Sequence, residues 1–289
     1  MQKIGLGTVQ FGLNYGVSNT RGKVPFEGVK EILDTAFKAG MDTLDTAIGY
    51  GDSEEVLGKT GVKSWKVISK LPTVPNNCNN ISGWIEQQVQ DSLSRLDLNC
   101  LNGLLIHDPN DLYGPNRKLI INTLLSLKKE NVVKKIGLSI YDPADIETII
   151  DQFPIDILQA PMSIVDRRLL SNKSITNLKE NGCEIHIRSI FLQGLLLMNS
   201  LNRPIYFDRW KNLWSDWDNW LKSENLTGLE ACLSYALGRS FVDRIIIGVS
   251  SKEELDQILS ISDKLELNPP KALESTDSNL INPSKWEIS

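Results

Sequence analysis

Apolar positions along the chain fall into short runs of Ile, Leu and Val that alternate with longer stretches in which apolar side chains return every three to four residues. Short continuous apolar runs suit strands covered on both faces, and the three-to-four-residue spacing suits helices with one face against a sheet. Strands are predicted at Lys3–Val9, Met41–Asp45, Lys66–Lys70, Leu101–Ile106, Lys135–Ser139, Ile155–Gln159, Glu184–Ile190 and Arg244–Gly248. Between them, Ile85, Val89, Leu93 and Leu96 mark one helix face, and Leu119, Ile120, Leu124 and Leu127 mark another. Helix starts are signalled by Asp142-Pro143, a cap before a proline, and by Thr227-x-x-Glu230 and Ser251-x-x-Glu254, which fit the reciprocal capping box.

Eight strand–helix alternations in 289 residues predict an α/β protein, a single-domain (β/α)8 TIM barrel over residues 1–267 with a polar, proline-bearing tail over 268–289. An open doubly wound sheet is the alternative. Its dinucleotide fingerprint would be GxGxxG opening a helix, whereas the first strand here runs through Ile4-Gly5-Leu6-Gly7-Thr8-Val9 to Gly12 with no helix expected directly after it. The loop between strand 7 and helix 8 is Trp-rich: Trp210, Trp214, Trp217 and Trp220 line one helical face within Ile205–Leu221. Two readings stay open for it, a packed aromatic face and a wall of a substrate pocket.

Charge narrows the function classes. Thirty-one Lys and Arg against 36 Asp and Glu give a net charge of -5 without a basic block, so nucleic acid and anionic membrane are not expected partners. Met1–Gly12 lacks the basic and apolar regions of a secretion signal, and no apolar run approaches the ~20 residues that span a bilayer. Cys78, Cys100, Cys183 and Cys232 are scattered, as buried thiols of a reducing compartment would be, and a soluble cytoplasmic protein is predicted. The chain has two histidines, His107 and His186, the latter inside the seventh strand and read as packed. A metal-dependent barrel isomerase or lyase is therefore disfavoured and no metal site is predicted.

In a barrel of this kind the reactive groups stand at the carboxyl ends of the strands. Asp45 ends the second strand, Tyr50 follows in the loop, Lys70 ends the third and His107 comes directly after the fourth. Each alone has a plain explanation: a turn former, a strand emerging into water, a satisfied strand-end histidine. Together they form a chemical device. A tyrosine donates a proton to a carbonyl effectively only if its phenol, pKa ~10 when free, is drawn toward neutrality, and a neighbouring ammonium does this. Lys70 would favour the phenolate of Tyr50, Asp45 would keep Lys70 charged and oriented, and a neutral His107 would hydrogen-bond the substrate oxygen.

The run Asp45-Thr46-Ala47-Ile48-Gly49-Tyr50-Gly51, with Ser53-Glu54-Glu55 and Leu57-Gly58, then Ile68-Ser69-Lys70 and Leu104-Leu105-Ile106-His107-Asp108, resembles the aldo-keto reductases over roughly Ile4 to Leu259. The resemblance implies an NAD(P)H-dependent oxidoreductase that reduces an aldehyde or ketone, sugar-derived ones among the candidates, with Tyr50 as proton donor and a small-molecule carbonyl substrate as partner. A non-catalytic, nucleotide-binding regulatory subunit on the same barrel is the alternative.

Cofactor contacts implied by the resemblance are Thr8 and Asp45, Ser139 and Gln159 at the carboxamide, and Arg188, where relatives place an aromatic that stacks on the nicotinamide, followed by Ser189 near phosphate. They continue with Leu192, Gln193 and Gly194 in a loop crossing the pyrophosphate, and with Gly248, Ser250 and Ser251 at a helix start suited to an anion. Ion pairing with a nearby carboxylate is the plain alternative for Arg188. Ile140 departs from the family's usual asparagine. Glu254 and Gln257 stand where NADP-preferring members carry groups for the 2'-phosphate and adenine. Family habit implies NADP(H), whereas a carboxylate at 254 suits a ribose hydroxyl and hence NAD(H). The expected pocket walls are loops around Val9–Tyr15, Asp108–Asn116, Met162–Arg168 and the Trp-rich segment.

Overall fold

The structure is a computed structural model that describes residues 3–261 and 267–287. Residues 1–2 and 262–266 of the predicted barrel span and 288–289 of the predicted tail lie outside the described residues. Eight parallel strands close into a barrel in sequence order: β1 (Ile4–Gly7), β2 (Thr43–Asp45), β3 (Lys66–Leu71), β4 (Gly103–Ile106), β5 (Ile136–Ser139), β6 (Ile157–Pro161), β7 (Glu184–Arg188) and β8 (Arg244–Gly248), with β8 pairing back onto β1. All eight fall where apolar runs predict them, with ends shifted by a few residues. The fold is thus a (β/α)8 TIM barrel.

Alternation along each strand sends one set of side chains inward and the other toward the helices. Ile68, Leu105 and Ile157 form a separate cluster inside the barrel. Close approach there excludes larger residues: a Cβ on Gly137 would lie 2.0 Å from the Ile157 carbonyl oxygen. The opposite faces supply Leu6, Leu44, Leu104 and Leu158 to the main core, against Val29, Ile32 and Ala36 of helix Phe26–Lys38 and Ile85, Val89 and Leu93 of helix Ile81–Leu96. Helix Arg117–Lys129 buries Ile120, Leu124 and Leu127 as expected, but Leu119 is exposed because its position turns outward.

Three expectations are corrected. β1 stops at Gly7, and a single helical turn, Val9–Gly12, opens where none was expected. Thr8 closes the β1–β2 pairing by donating its N–H (3.0 Å) and Oγ1 (3.2 Å) to the Asp45 carbonyl. The Trp-rich segment is not a loop but a turn, Ile205–Trp210, and a helix, Lys211–Glu224. Trp214, Trp217 and Trp220 are buried on that helix, and Trp214 Nε1 donates to Phe207 O at 2.8 Å, so the packed aromatic face is the structural outcome. The C-terminal segment lies over this region: Leu273, Leu280 and Ile281 are buried and the Trp286 ring meets Phe207 edge-on at 4.9 Å. Thirdly, only one of the two capping boxes closes. Thr227 and Glu230 cap reciprocally, whereas Glu254 reaches past Ser251 to the Ser250 amide.

No helix among the described residues is long and apolar enough to cross a membrane. The four cysteines are free thiols, Cys183 and Cys232 buried.

Candidate active site

Register brings the first pair together. Asp45 on β2 pairs with Ile68 on β3, so Lys70, two residues on, projects to the same inner face one step higher. Lys70 Nζ lies 2.6 Å from Asp45 Oδ2, donates to Thr46 O at 2.8 Å and stands 3.5 Å from Tyr50 Oη. Burial opposes charge on this ammonium, but the Asp45 carboxylate and the Tyr50 oxygen outweigh it and raise the pKa above the ordinary lysine value.

The loop that carries Tyr50 is pinned from below. Thr46 N–H donates to Ile68 O, and Ile48 N–H to Lys70 O. Ser53 Oγ donates toward Thr8, and the backbone passes so near Gly12 that a Cβ there would fall 1.8 Å from Tyr50 O. The following helix, Ser53–Thr60, is anchored by the buried carboxylate of Glu54, which accepts from Ser69, Ser92 and Arg95. Every lone-pair direction of that carboxylate has a partner, as a buried charge requires.

His107 closes the group. Its N–H donates to Leu71 O at 3.1 Å, and its ring meets the Tyr50 ring edge-on with centroids 5.8 Å apart. Burial, reinforced by the charges of Lys70 and Arg188, pushes the imidazole pKa down to about 4, so the ring is neutral at pH 7.

A cavity of about 520 Å³ extends from Tyr50 and His107 past Arg188 to Glu254, Gln257 and Ile258. Of the predicted cofactor residues, Thr8, Asp45, Arg188, Ser189, Gln193, Gly194, Gly248, Ser250, Glu254 and Gln257 line it. Ser139, Gln159, Leu192 and Ser251 are not in its lining. Gln159 Nε2 instead donates to Asp45 Oδ1 at 2.6 Å, and Ser139 Oγ donates to Gln159 Oε1 at 3.3 Å, which extends a buried chain of hydrogen bonds behind Lys70. Leu192 is buried, and Ser251 caps helix Lys252–Ser260 by accepting from Glu254 N–H.

The loop after β7 is held in unusual backbone. Ser189, Leu192, Gln193 and Gly194 have φ of 61, 49, 54 and 88°, and each non-glycine residue so placed costs on the order of 1 kcal/mol. Gln193 Nε2 donates to Tyr15 Oη at 2.9 Å, and at Gly194 a Cβ would overlap Ser18 Oγ, so this loop meets residues 13–23 across the mouth of the cavity. Burial and the Tyr50 oxygen push the Tyr15 phenol up to about 12.

Of the expected walls, only the segment from Val9 to Tyr15 contributes. Pro109–Leu112 is a turn whose Asp111 accepts from Val74 N–H, and Met162, Ile164 and Val165 are buried in the core. Sequence reasoning missed Tyr141, which lines the cavity with the Arg188 guanidinium 4.4 Å above its ring. Its signal would have been an aromatic two residues beyond Ser139. No carboxylate pairs with Arg188 among the described residues. Its Nη2 donates to Ile140 O at 2.9 Å and Nη1 to Ser189 Oγ at 3.3 Å.

A closed (β/α)8 barrel thus carries a buried Lys–Asp pair beneath a tyrosine and a histidine at the carboxyl ends of its strands. Residues 3–274 match the family model of the Aldo/keto reductase family, and the chain belongs to it. It is similar to "Aldo-keto reductase str7" of Strobilurus tenacellus, 30% identical over 116 residues, which cover 38% of this chain. It is also similar to the "NADH-specific methylglyoxal reductase" of Escherichia coli, 25% identical over 225 residues, 68% of this chain. These matches span 33% and 65% of the two relatives' own lengths. Among solved structures, aldo-keto reductase AKR11C1 from Bacillus halodurans shares the fold, with a TM-score of 0.70 at 21% identity over 93% of this chain and 88% of that one.

Proposed function

We propose that the chain is an NADH-preferring reductase of aldehydes or ketones in which Tyr50 delivers the proton. The observation that carries this reading is the approach of Lys70 Nζ to both Asp45 (2.6 Å) and Tyr50 Oη (3.5 Å) beside a neutral His107 at one end of the cavity.

The cavity fits an extended dinucleotide. Gly7, Gly194 and Gly248 line it without side chains, and a Cβ at Gly248 would lie 2.4 Å from the Gln10 amide. Thr8, Ser189, Gln193 and Ser250 offer polar groups along it. When bound, a nicotinamide dinucleotide supplies the hydride. Tyr50 Oη holds the proton destined for the carbonyl oxygen, and the phenolate left behind is stabilised by the ammonium of Lys70. Asp45 keeps that ammonium charged, and Gln159, with Ser139 behind it, fixes the carboxylate. His107 presents a neutral ring that orients the carbonyl through a hydrogen bond.

Glu254 supports NADH over NADPH. It lines the cavity, and its Oε2 accepts from the Ser250 N–H at 2.7 Å. A carboxylate there repels phosphate and accepts from ribose hydroxyls. The name of the Escherichia coli relative points the same way.

The test is turnover of an aldehyde panel with NADH, together with cofactor Kd by fluorescence. Tyr50→Phe is expected to lower kcat/KM by about 10²- to 10⁴-fold while NADH still binds. Tight NADH binding with no turnover of any aldehyde would instead favour a non-catalytic regulatory subunit. Glu254→Arg is expected to shift the NADPH-to-NADH affinity ratio at least ~10-fold toward NADPH, a change of about 1.4 kcal/mol. An unmoved ratio would remove Glu254 from cofactor selection.

A further inference from the structure

Resting on the reductase reading, we propose that Glu54 is a positioning residue: its buried carboxylate holds the Tyr50 oxygen against Lys70 and so governs how readily Tyr50 gives up its proton.

Glu54 is a buried acid that no step at the cavity uses. Its side chain is 2% exposed and is not part of the cavity lining. Oε1 accepts from Ser69 Oγ and from Ser92 Oγ, both at 2.7 Å, and Oε2 accepts from Arg95 Nε at 2.9 Å and Nη2 at 2.7 Å. Arg95 meets its charge, so Glu54 acts on the site by geometry and not by field. A buried ion pair is a weak source of stability. This one joins three elements, helix Ser53–Thr60, strand β3 and helix Ile81–Leu96. The two helices dock closely, for a Cβ on Gly58 would lie 2.0 Å from Arg95 O.

Both Tyr50 and Lys70 stand close to this junction along the chain. Ser69 is the residue before Lys70, and alternation along β3 turns its hydroxyl outward to Glu54 while the Lys70 ammonium points inward. Tyr50 precedes Glu54 by one turn, in which Ser53 N–H donates to Tyr50 O at 3.1 Å. Ser53 Oγ donates to Thr8 O at 2.9 Å and lies 3.3 Å from Thr46 Oγ1, and Thr46 O in turn accepts from Lys70 Nζ. The first turn of helix Ser53–Thr60 is thus tied to the surroundings of Lys70 at Ser69 and again at Thr46, with Glu54 as its charged member. Lys70 Nζ lies 3.5 Å from Tyr50 Oη, the outer limit of hydrogen-bond contact. A displacement of ~1 Å would part them, and misplacement of that size costs up to about 10²-fold in rate.

The test uses Glu54→Gln, which keeps an acceptor for the two serines but leaves Arg95 unpaired, and Ser69→Ala, which removes one hydroxyl and decides alone if Glu54→Gln fails to fold. With NADH and an aldehyde that the unmodified protein reduces, kcat should fall about 10- to 100-fold in Glu54→Gln and about 3- to 10-fold in Ser69→Ala. KM and the NADH Kd should change by less than ~3-fold in both. Leu124→Ala, a truncation in helix Arg117–Lys129, loosens the core elsewhere and should leave kcat unchanged.

A second arm needs no turnover. Tyrosinate absorbance of each protein, less that of its Tyr50→Phe counterpart, reports ionisation of Tyr50 alone. The midpoint should move upward by about one pH unit in Glu54→Gln, a tenfold weaker acid, and in the same direction in Ser69→Ala, while Leu124→Ala leaves it in place. Should no aldehyde be reduced while the midpoint moves, the positioning role stands and the reductase reading falls. A midpoint unmoved in every folded variant overturns the inference whatever happens to kcat. So does an equal movement in Leu124→Ala, which would mark general loosening in place of a hold by Glu54.

Discussion

Two lysine–aspartate pairs link β3 to β2 and to the residue just before it, one near each end, and their bond lengths are nearly the same. Near the amino ends Lys66 meets Asp42 at 2.7 Å, with side chains 51% and 42% exposed. At the carboxyl ends Lys70 meets Asp45 at 2.6 Å, with side chains 1% and 5% exposed. The lower pair shares its work: Asp42 also accepts from Thr43 and lies 3.5 Å from Arg244. Slight burial works against its charge, but these neighbours hold the carboxyl below the usual range. The upper pair is enclosed and continues into Thr46, Tyr50 and Gln159. An exposed pair contributes ~0–1 kcal/mol, whereas a buried pair is weak as a stabiliser yet costly to break. A barrel gains little stability from the upper pair, and its depth fits the role proposed for it beneath Tyr50.

Breaking the upper pair gives the largest expected effect. Lys70→Met leaves the Asp45 carboxylate buried with Gln159 as its remaining side-chain donor and should cost about 3–5 kcal/mol of unfolding free energy. Urea denaturation of purified protein measures it. A loss under ~1 kcal/mol would mean that water or a rearranged neighbour replaces the ammonium and that the pair is not isolated.

The same contrast explains what could be read without coordinates. Strand positions and the Asp45, Tyr50, Lys70 and His107 group were legible because strand ends are set by local apolar runs, and reactive side chains at those ends stand out against them. The support beneath was not. Glu54 reads as a surface helix acid until Ser69, Ser92 and Arg95 converge on it. Gly12 closes the first apolar run in the sequence, and only the fold brings the Tyr50 backbone against it. Gln159 and Ser139 were legible as site residues, but their place behind Asp45 depends on register across β5 and β6, with Ser139 opposite Gln159. The Trp-rich stretch misled in part because its burial depends on residues far along the chain, Leu273, Leu280 and Trp286 among them.

His107 sharpens the comparison by pH. Its folded pKa, about 4, lies below the ordinary 6.5, so the unfolded chain takes up this proton first as pH falls. Its contribution is complete above pH 6.5 and is lost between 6.5 and 4, on the order of 3 kcal/mol. Unfolding free energies at pH 7 and 4.5 should therefore converge more closely in His107→Asn than in the unmodified protein. Equal losses in both would show that the upper end tolerates a protonated imidazole beside Lys70 and Arg188.

The smallest effect is expected at the lower pair. Lys66→Met removes a charge that stands half in water, and Asp42 keeps Thr43 as a donor and Arg244 nearby. The loss should be below ~1 kcal/mol at low salt and should vanish near 1 M salt, where the screening length is about 3 Å. Its salt dependence is the informative readout, because Lys70→Met removes a charge that salt cannot reach and its cost should persist under the same conditions. If the two variants lose the same stability and respond alike to salt, enclosure is not what separates these pairs, and the depth of Lys70 ceases to be an argument for its role at Tyr50.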